Sequence, residues 1–269
     1  MWQRMAKLEK RPPLWLFSIM EMPYGVISGV IRMLLPFLLR QSGLGLSRVG
    51  AIIALVSLPG TFCFLYAPIV DLWIRRRTWL ISVASASAIC CGAGIWFLRI
   101  ASPGIVTTLF SSACAFAMLV SAATGGLMSA LLHGQERARV GGWVQVGNLG
   151  AASMGDGLLL MLASRYGNQV LEVVAVVLIM SPALAALAVR EPLPVRDETR
   201  YKAHLLIMAR DFKQTFFCKR NLPAMLLLVS PIGSGAMSTL MGGLTREYGA
   251  TLDQLAFARG YGVFLTPSQ

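Results

Sequence analysis

The chain has 269 residues, 56% of them hydrophobic and 13% charged, with a formal net charge of +12. Soluble domains hold about 25% charged residues, so this composition, with its mean hydropathy of +0.65, excludes an ordinary water-soluble globule. The positive balance does not mark a nucleic-acid binder, because the basic residues lie in the gaps between long apolar blocks rather than on one polar face.

Residues 1–13 form a basic arm containing Arg4, Lys7, Lys10 and Arg11. Seven apolar blocks follow, at 14–39, 49–70, 78–98, 104–132, 141–163, 170–189 and 223–244. Each is near the 20 residues that cross a hydrocarbon core as a helix. They are too long and too evenly apolar to be strands of a barrel, and lipid leaves no other spanning structure. The expected fold is therefore all-α, a polytopic helical membrane protein. The first block is too long for the core of a signal peptide and carries Glu21 and Arg32, so it reads as the first span.

In that first block Glu21, Tyr24, Ser28 and Arg32 fall at offsets 0, 3, 7 and 11. At 100° per residue these share one helix face. Gly25 and Gly29 beside them make a small-x-x-x-small pair that admits a close neighbour. The second block ends in Asp71, followed by Arg75, Arg76 and Arg77 in a short turn. Two readings fit this turn: a latch between the carboxylate and the guanidinium groups, or simple anchoring of the turn at the headgroups. In the fifth block Gln145, Asn148 and Asp156 again share a face. The two polar stripes either line a water-filled solute path or form internal pairs and snorkelling groups that hold the bundle together. On the first reading Arg32 faces an anionic group, and Glu21 or Asp156 carries a coupling proton. Glu172, opening the sixth block, reads as an interface group.

The turns at 41–48, 71–77, 99–103, 133–140 and 164–169 are short, so consecutive helices must run antiparallel. With the N-terminus in the cytoplasm, 17 of the 24 Lys and Arg residues fall on the cytoplasmic side. The positive-inside rule sets that orientation, and the basic excess also attracts anionic lipid. Residues 190–222 are long and basic. They carry Leu205, Met208, Phe212 and Phe216 at helical spacing, the pattern of an amphipathic helix on the membrane surface or else of a solvated linker. Six spans (1–189), a linker (190–222) and a further span (223–269) lay out a transporter of two six-helix halves whose second half is truncated, or a complete seven-helix protein. The truncated form is not expected to transport alone.

The five cysteines and two histidines form no metal-ligand spacing, so neither a metal site nor an organic cofactor is expected. A membrane hydrolase would need a nucleophile with a base or a metal. Two histidines, both in basic cytoplasmic segments, are a poor inventory for that chemistry, and the chain is not expected to be an enzyme.

The Asp71 to Arg77 turn resembles the loop signature of the major facilitator superfamily, with the usual Gly missing and the loop shortened. The chain is similar, more narrowly, to AmpG-type muropeptide permeases and their acetyl-CoA transporter relatives. The likeness runs through Met22-Pro-Tyr-Gly-Val-Ile-Ser-Gly, the run from Leu58 to Asp71 with Arg75-Arg-Arg-Thr-Trp, Gly141-Gly-Trp-Val-Gln-Val-Gly-Asn, and Pro231-Ile-Gly-Ser-Gly-Ala. The resemblance implies a monomer of the bacterial inner membrane, driven by the proton gradient, that imports anhydro-muropeptides. The alternative is a carrier of the same fold for a drug, a sugar or a coenzyme-A ester, or a non-functional fragment of such a carrier.

Overall fold

A computed structural model describes residues 12–71, 75–98, 102–132 and 134–189, together with Arg210 and Pro223. The expected seventh span and the basic linker lie outside the described residues. Among the described residues the chain is helical throughout, and six helices are long and apolar enough to cross a membrane. These are α1 (Leu16–Gln41), α2 (Leu46–Val70), α3 (Arg76–Phe97), α4 (Pro103–Leu131), α5 (Gln135–Gly167) and α6 (Gln169–Leu187). The first is about 39 Å long at 1.5 Å per residue. It exceeds a hydrocarbon core of about 30 Å, an excess that helices meet by tilting, kinking or thickening the bilayer.

The turns are tighter than the apolar blocks suggest. The gap expected at 133–140 shrinks, because α4 ends at Leu131 and α5 begins at Gln135. Likewise α5 continues through 164–167. The apolar block marks only the part of a helix that meets lipid, and polar residues extend the same helix beyond it. After α1, the Leu44 amide donates to the Leu39 carbonyl and the Gly43 amide to that of Arg40. With φ at +89° on Gly43, this is a Schellman closure, which uses the left-handed conformation that glycine adopts without strain. Between α5 and α6 the reversal falls on Gly167, with φ at +77°.

Residue-to-residue contacts give the directions. Arg76 and Ser87 of α3 bond the carbonyls of Gly126 and Ala113 on α4, so these two helices are antiparallel. Arg77 bonds the Val189 carbonyl just beyond α6. Glu21 of α1 meets Ser121 of α4, again antiparallel. By contrast α1 and α5 run parallel, with Ser18 on Trp143 and Arg32 on Asp156. The central element is α1: 72% of its most apolar stretch is buried in the bundle, against 22% for α2 at the edge.

Two apolar layers stack along the bundle. One is built on Val26, Val30, Leu34, Val56, Phe110 and Ile179. The other is built on Phe17, Met20, Leu80, Val120, Leu127 and Val189. Glu21 and Ser121 sit between the layers, and Thr124 lies within the second, donating to the carbonyls of Val120 and Met20.

Candidate functional site: paired π turns beside a cavity

Among the described residues, regular α-helix gives way inside three spans: α2 breaks at Phe62 and tightens into a 3₁₀ turn from Ala67, and α1 and α5 each widen into a π turn. Residues Val30–Leu34 of α1 and Met154–Leu158 of α5 are π turns. A π turn takes an extra residue into the turn, displaces the side chains that follow, and recurs at functional sites. Each of these turns carries a charge: Arg32 in the first, Asp156 in the second. They face each other, and Nη2 of Arg32 lies 3.5 Å from Oδ2 of Asp156. The side chain of Asp156 is 11% exposed and that of Arg32 is 42% exposed. The pair is lopsided: the carboxylate is enclosed, while the guanidinium reaches open space.

Missing side chains make this approach possible. A Cβ on Gly29 would lie 2.5 Å from the Ala152 carbonyl oxygen and 2.8 Å from the Asp156 amide nitrogen. A Cβ on Gly155 would lie 3.0 Å from the Gly29 Cα. Gly25 and Gly147 are equally tight against the Asn148 and Ser18 backbones. The helices therefore cross backbone to backbone, the contact that small residues permit in lipid. The Ser18 hydroxyl fastens one end by donating to the Trp143 carbonyl at 2.6 Å.

On its other side Arg32 lines a cavity of about 150 Å³ between α1, α2 and α4. Tyr24 and Ser28 line it from α1, Ser57 and Gly60 from α2, and Cys114, Ala117 and Met118 from α4. Three of the four α1 residues picked out by spacing thus meet around one space. Glu21 does not join them. It is 4% exposed and accepts a hydrogen bond from the Ser121 hydroxyl at 2.6 Å. Among the described residues no cation stands within ion-pair distance of it. The stripe on α5 also divides: Asp156 is buried, Asn148 half-buried and Gln145 exposed, and neither amide side chain lines the cavity.

The Asp71 turn is placed in part. Residues Ala67–Asp71 form a 3₁₀ turn, and the Asp71 side chain lies outside the described residues. Arg75 is exposed. Arg76 donates to the Gly126 carbonyl at 2.9 Å, and Arg77 to the Val189 carbonyl at 3.3 Å. Both guanidinium groups thus tie the start of α3 to the backbone of other segments, Arg76 to α4 and Arg77 to the residues just after α6.

Spacing within one helix did not point to Ser57, Cys114 or Ser121. Each is a small residue in an apolar run, which is the ordinary composition of a membrane helix contact. Only the packing of α2 and α4 on α1 gives them a role. No protein-family model matches the chain, and no solved structure matches it.

Proposed function

We propose that the six helices form the N-terminal half of a major-facilitator-type secondary transporter. Its cargo is an anionic solute, an anhydro-muropeptide, imported across a bacterial inner membrane by proton symport with the N-terminus in the cytoplasm. One observation carries the reading: an Arg–Asp pair is held between two π turns at membrane depth, with its arginine open to a cavity. Ionisable groups in spans are costly and mark solute or ion paths. Transporter sites form where helices lose regularity near the membrane midplane. Glu21 is the proposed proton carrier, since it is buried beside a hydroxyl that can pass a proton on. The support for this cargo is the resemblance in the Met22 to Gly29 and Leu58 to Asp71 segments.

The test is uptake of labelled anhydro-muropeptide into cells expressing the complete open reading frame that holds these residues. Arg32→Ala is expected to abolish uptake. Ile89→Ala is expected to keep it, because Ile89 is 70% exposed on the outside of α3. Equal uptake by both variants removes Arg32 from the path. No uptake by the unmodified protein, with a competing sugar or coenzyme-A ester taken up instead, replaces the cargo and keeps the carrier.

A further inference from the structure

We infer that the cavity between α1, α2 and α4 receives one small carboxylate group, which takes Arg32 away from Asp156. The inference deepens the transport reading and rests on it for the identity of the path, but it is a statement about equilibrium binding.

Size sets the first limit. A cavity of about 150 Å³ elsewhere holds one benzene, six heavy atoms. The cavity here has that volume, so it holds a group of about six heavy atoms rather than a whole sugar-peptide. Lactate has that size.

Chemistry sets the second. The lining holds a guanidinium and three hydroxyls, those of Tyr24, Ser28 and Ser57. No hydrogen bond from these hydroxyls to any described residue is present. Ser28 lies in a helix, yet it does not turn back onto the preceding carbonyl as Ser85, Ser153, Thr107 and Thr108 do. Its hydroxyl is left for the cavity. The rest of the lining is apolar, with Ile27, Ile31, Ala117 and Met118. A cation and three hydroxyls from α1 and α2, among apolar groups of α1 and α4, fit a short-chain carboxylate, with its oxygens toward Arg32 and its carbons against Ala117 and Met118.

Competition is the third. Arg32 has five N–H donors in a planar fork that suits a carboxylate bidentately. In this structure it spends one on Asp156 at 3.5 Å, a long contact for a charge-assisted bond. Its Nε has no hydrogen-bond partner among the described residues. A carboxylate in the cavity therefore offers Arg32 a better fork than Asp156 does. Asp156 acts as the built-in rival anion. Occupation of the cavity removes a tie across the α1–α5 crossing at the two π turns, which is how binding would reach the backbone.

The experiment is equilibrium dialysis of labelled lactate, with its uncharged isostere lactamide as control, against the purified chain in lipid nanodiscs. Lactate is expected to bind roughly tenfold or more tighter than lactamide, the ratio that one charge-assisted contact gives. Asp156→Asn removes the rival and should tighten lactate binding by about threefold or more. Arg32→Gln should erase the preference for lactate over lactamide. If Asp156→Asn does not fold, Ser28→Ala is read instead, with an expected loss of about threefold in lactate affinity at an unchanged melting temperature. Equal binding of lactate and lactamide overturns the inference, as does a folded Asp156→Asn that binds lactate no better. Muropeptide uptake that persists without lactate binding also overturns it and leaves the transport reading standing. Lactate binding without uptake sustains the inference and sinks that reading.

Discussion

The contact of α1 with α5 and the contact of α3 with α4 join helices of comparable apolar length, yet they are built on different principles. Along α3–α4 side chains fill the gap. Phe110 packs onto Gly94, and Leu80, Val83, Val120 and Leu127 share one apolar layer. Along α1–α5 the side chains are missing. Gly25, Gly29, Gly147 and Gly155 bring the backbones together, and the charges ride on π turns. A side-chain contact relaxes around a substitution by changing rotamers, whereas a backbone contact has no such freedom. The first kind suits a static wall, and the second a joint whose register matters.

The largest difference should appear between a methyl group added to the α1–α5 contact and one added to an open face of α4. Gly29→Ala places its Cβ against the Ala152 carbonyl and the Asp156 amide, and both are backbone atoms. The expected cost is about 3 kcal/mol, the upper part of the range for overpacking. Gly125→Ala on α4 meets nothing within 4 Å. It should be neutral or slightly stabilising through helix propensity. Melting curves of the two variants in one detergent check this. Equal melting temperatures would mean that the α1–α5 crossing is looser than described.

A smaller effect separates the two ends of the ion pair. Arg32→Ala leaves Asp156, at 11% exposure, without its arginine. This should cost about 3 kcal/mol or somewhat less, near the lower limit for breaking a buried pair from one side. Asp156→Ala leaves Arg32, which at 42% exposure can turn to water in the cavity. Its cost should be only about 1 kcal/mol. The order of the two, read by melting or by denaturant, is the test. The reverse order would put the enclosed charge on the arginine.

How far the sequence discloses this comparison depends on the kind of contact. Apolar blocks locate all six described helices, since lipid demands a long uninterrupted run and few segments supply one. Helix ends are less legible: α5 starts at Gln135 rather than 141 because polar residues continue the helix outside the apolar run. The stripes are legible only up to the first irregularity. A step of 100° per residue carries Tyr24 to Ser28 on one face, but it cannot anticipate that the turn at Val30–Leu34 widens. Nor does it show that Glu21 lies against α4 rather than in the cavity. The pairing of Arg32 with Asp156, 124 positions apart, belongs to packing alone. The glycines were visible as small residues, and their partner was not.

The smallest expected effect lies at the loop end of the α3–α4 wall, and it asks whether that wall is static to its edge. Arg137, in the first turn of α5, donates from Nε to the Leu132 carbonyl at 2.8 Å and from Nη2 to the Ser129 carbonyl at 2.6 Å. Arg76 reaches the Gly126 carbonyl one turn earlier. The last carbonyls of α4 have no amide of their own helix to accept from, and a cation there also meets the negative end of the dipole. Arg137→Ala removes two such bonds at an exposed site where water replaces them, so the cost should be about 1 kcal/mol. Arg137→Lys keeps the charge but loses the fork that spans two carbonyls, and should recover about half. Amide hydrogen exchange is the sensitive reading. Protection in the last turn of α4 should fall in Arg137→Ala, while protection around Ser87 and Ala113 stays unchanged. A loss that spreads to that middle stretch would mean that the wall moves as one body with its end, and the contrast with the α1–α5 joint would narrow to the ion pair.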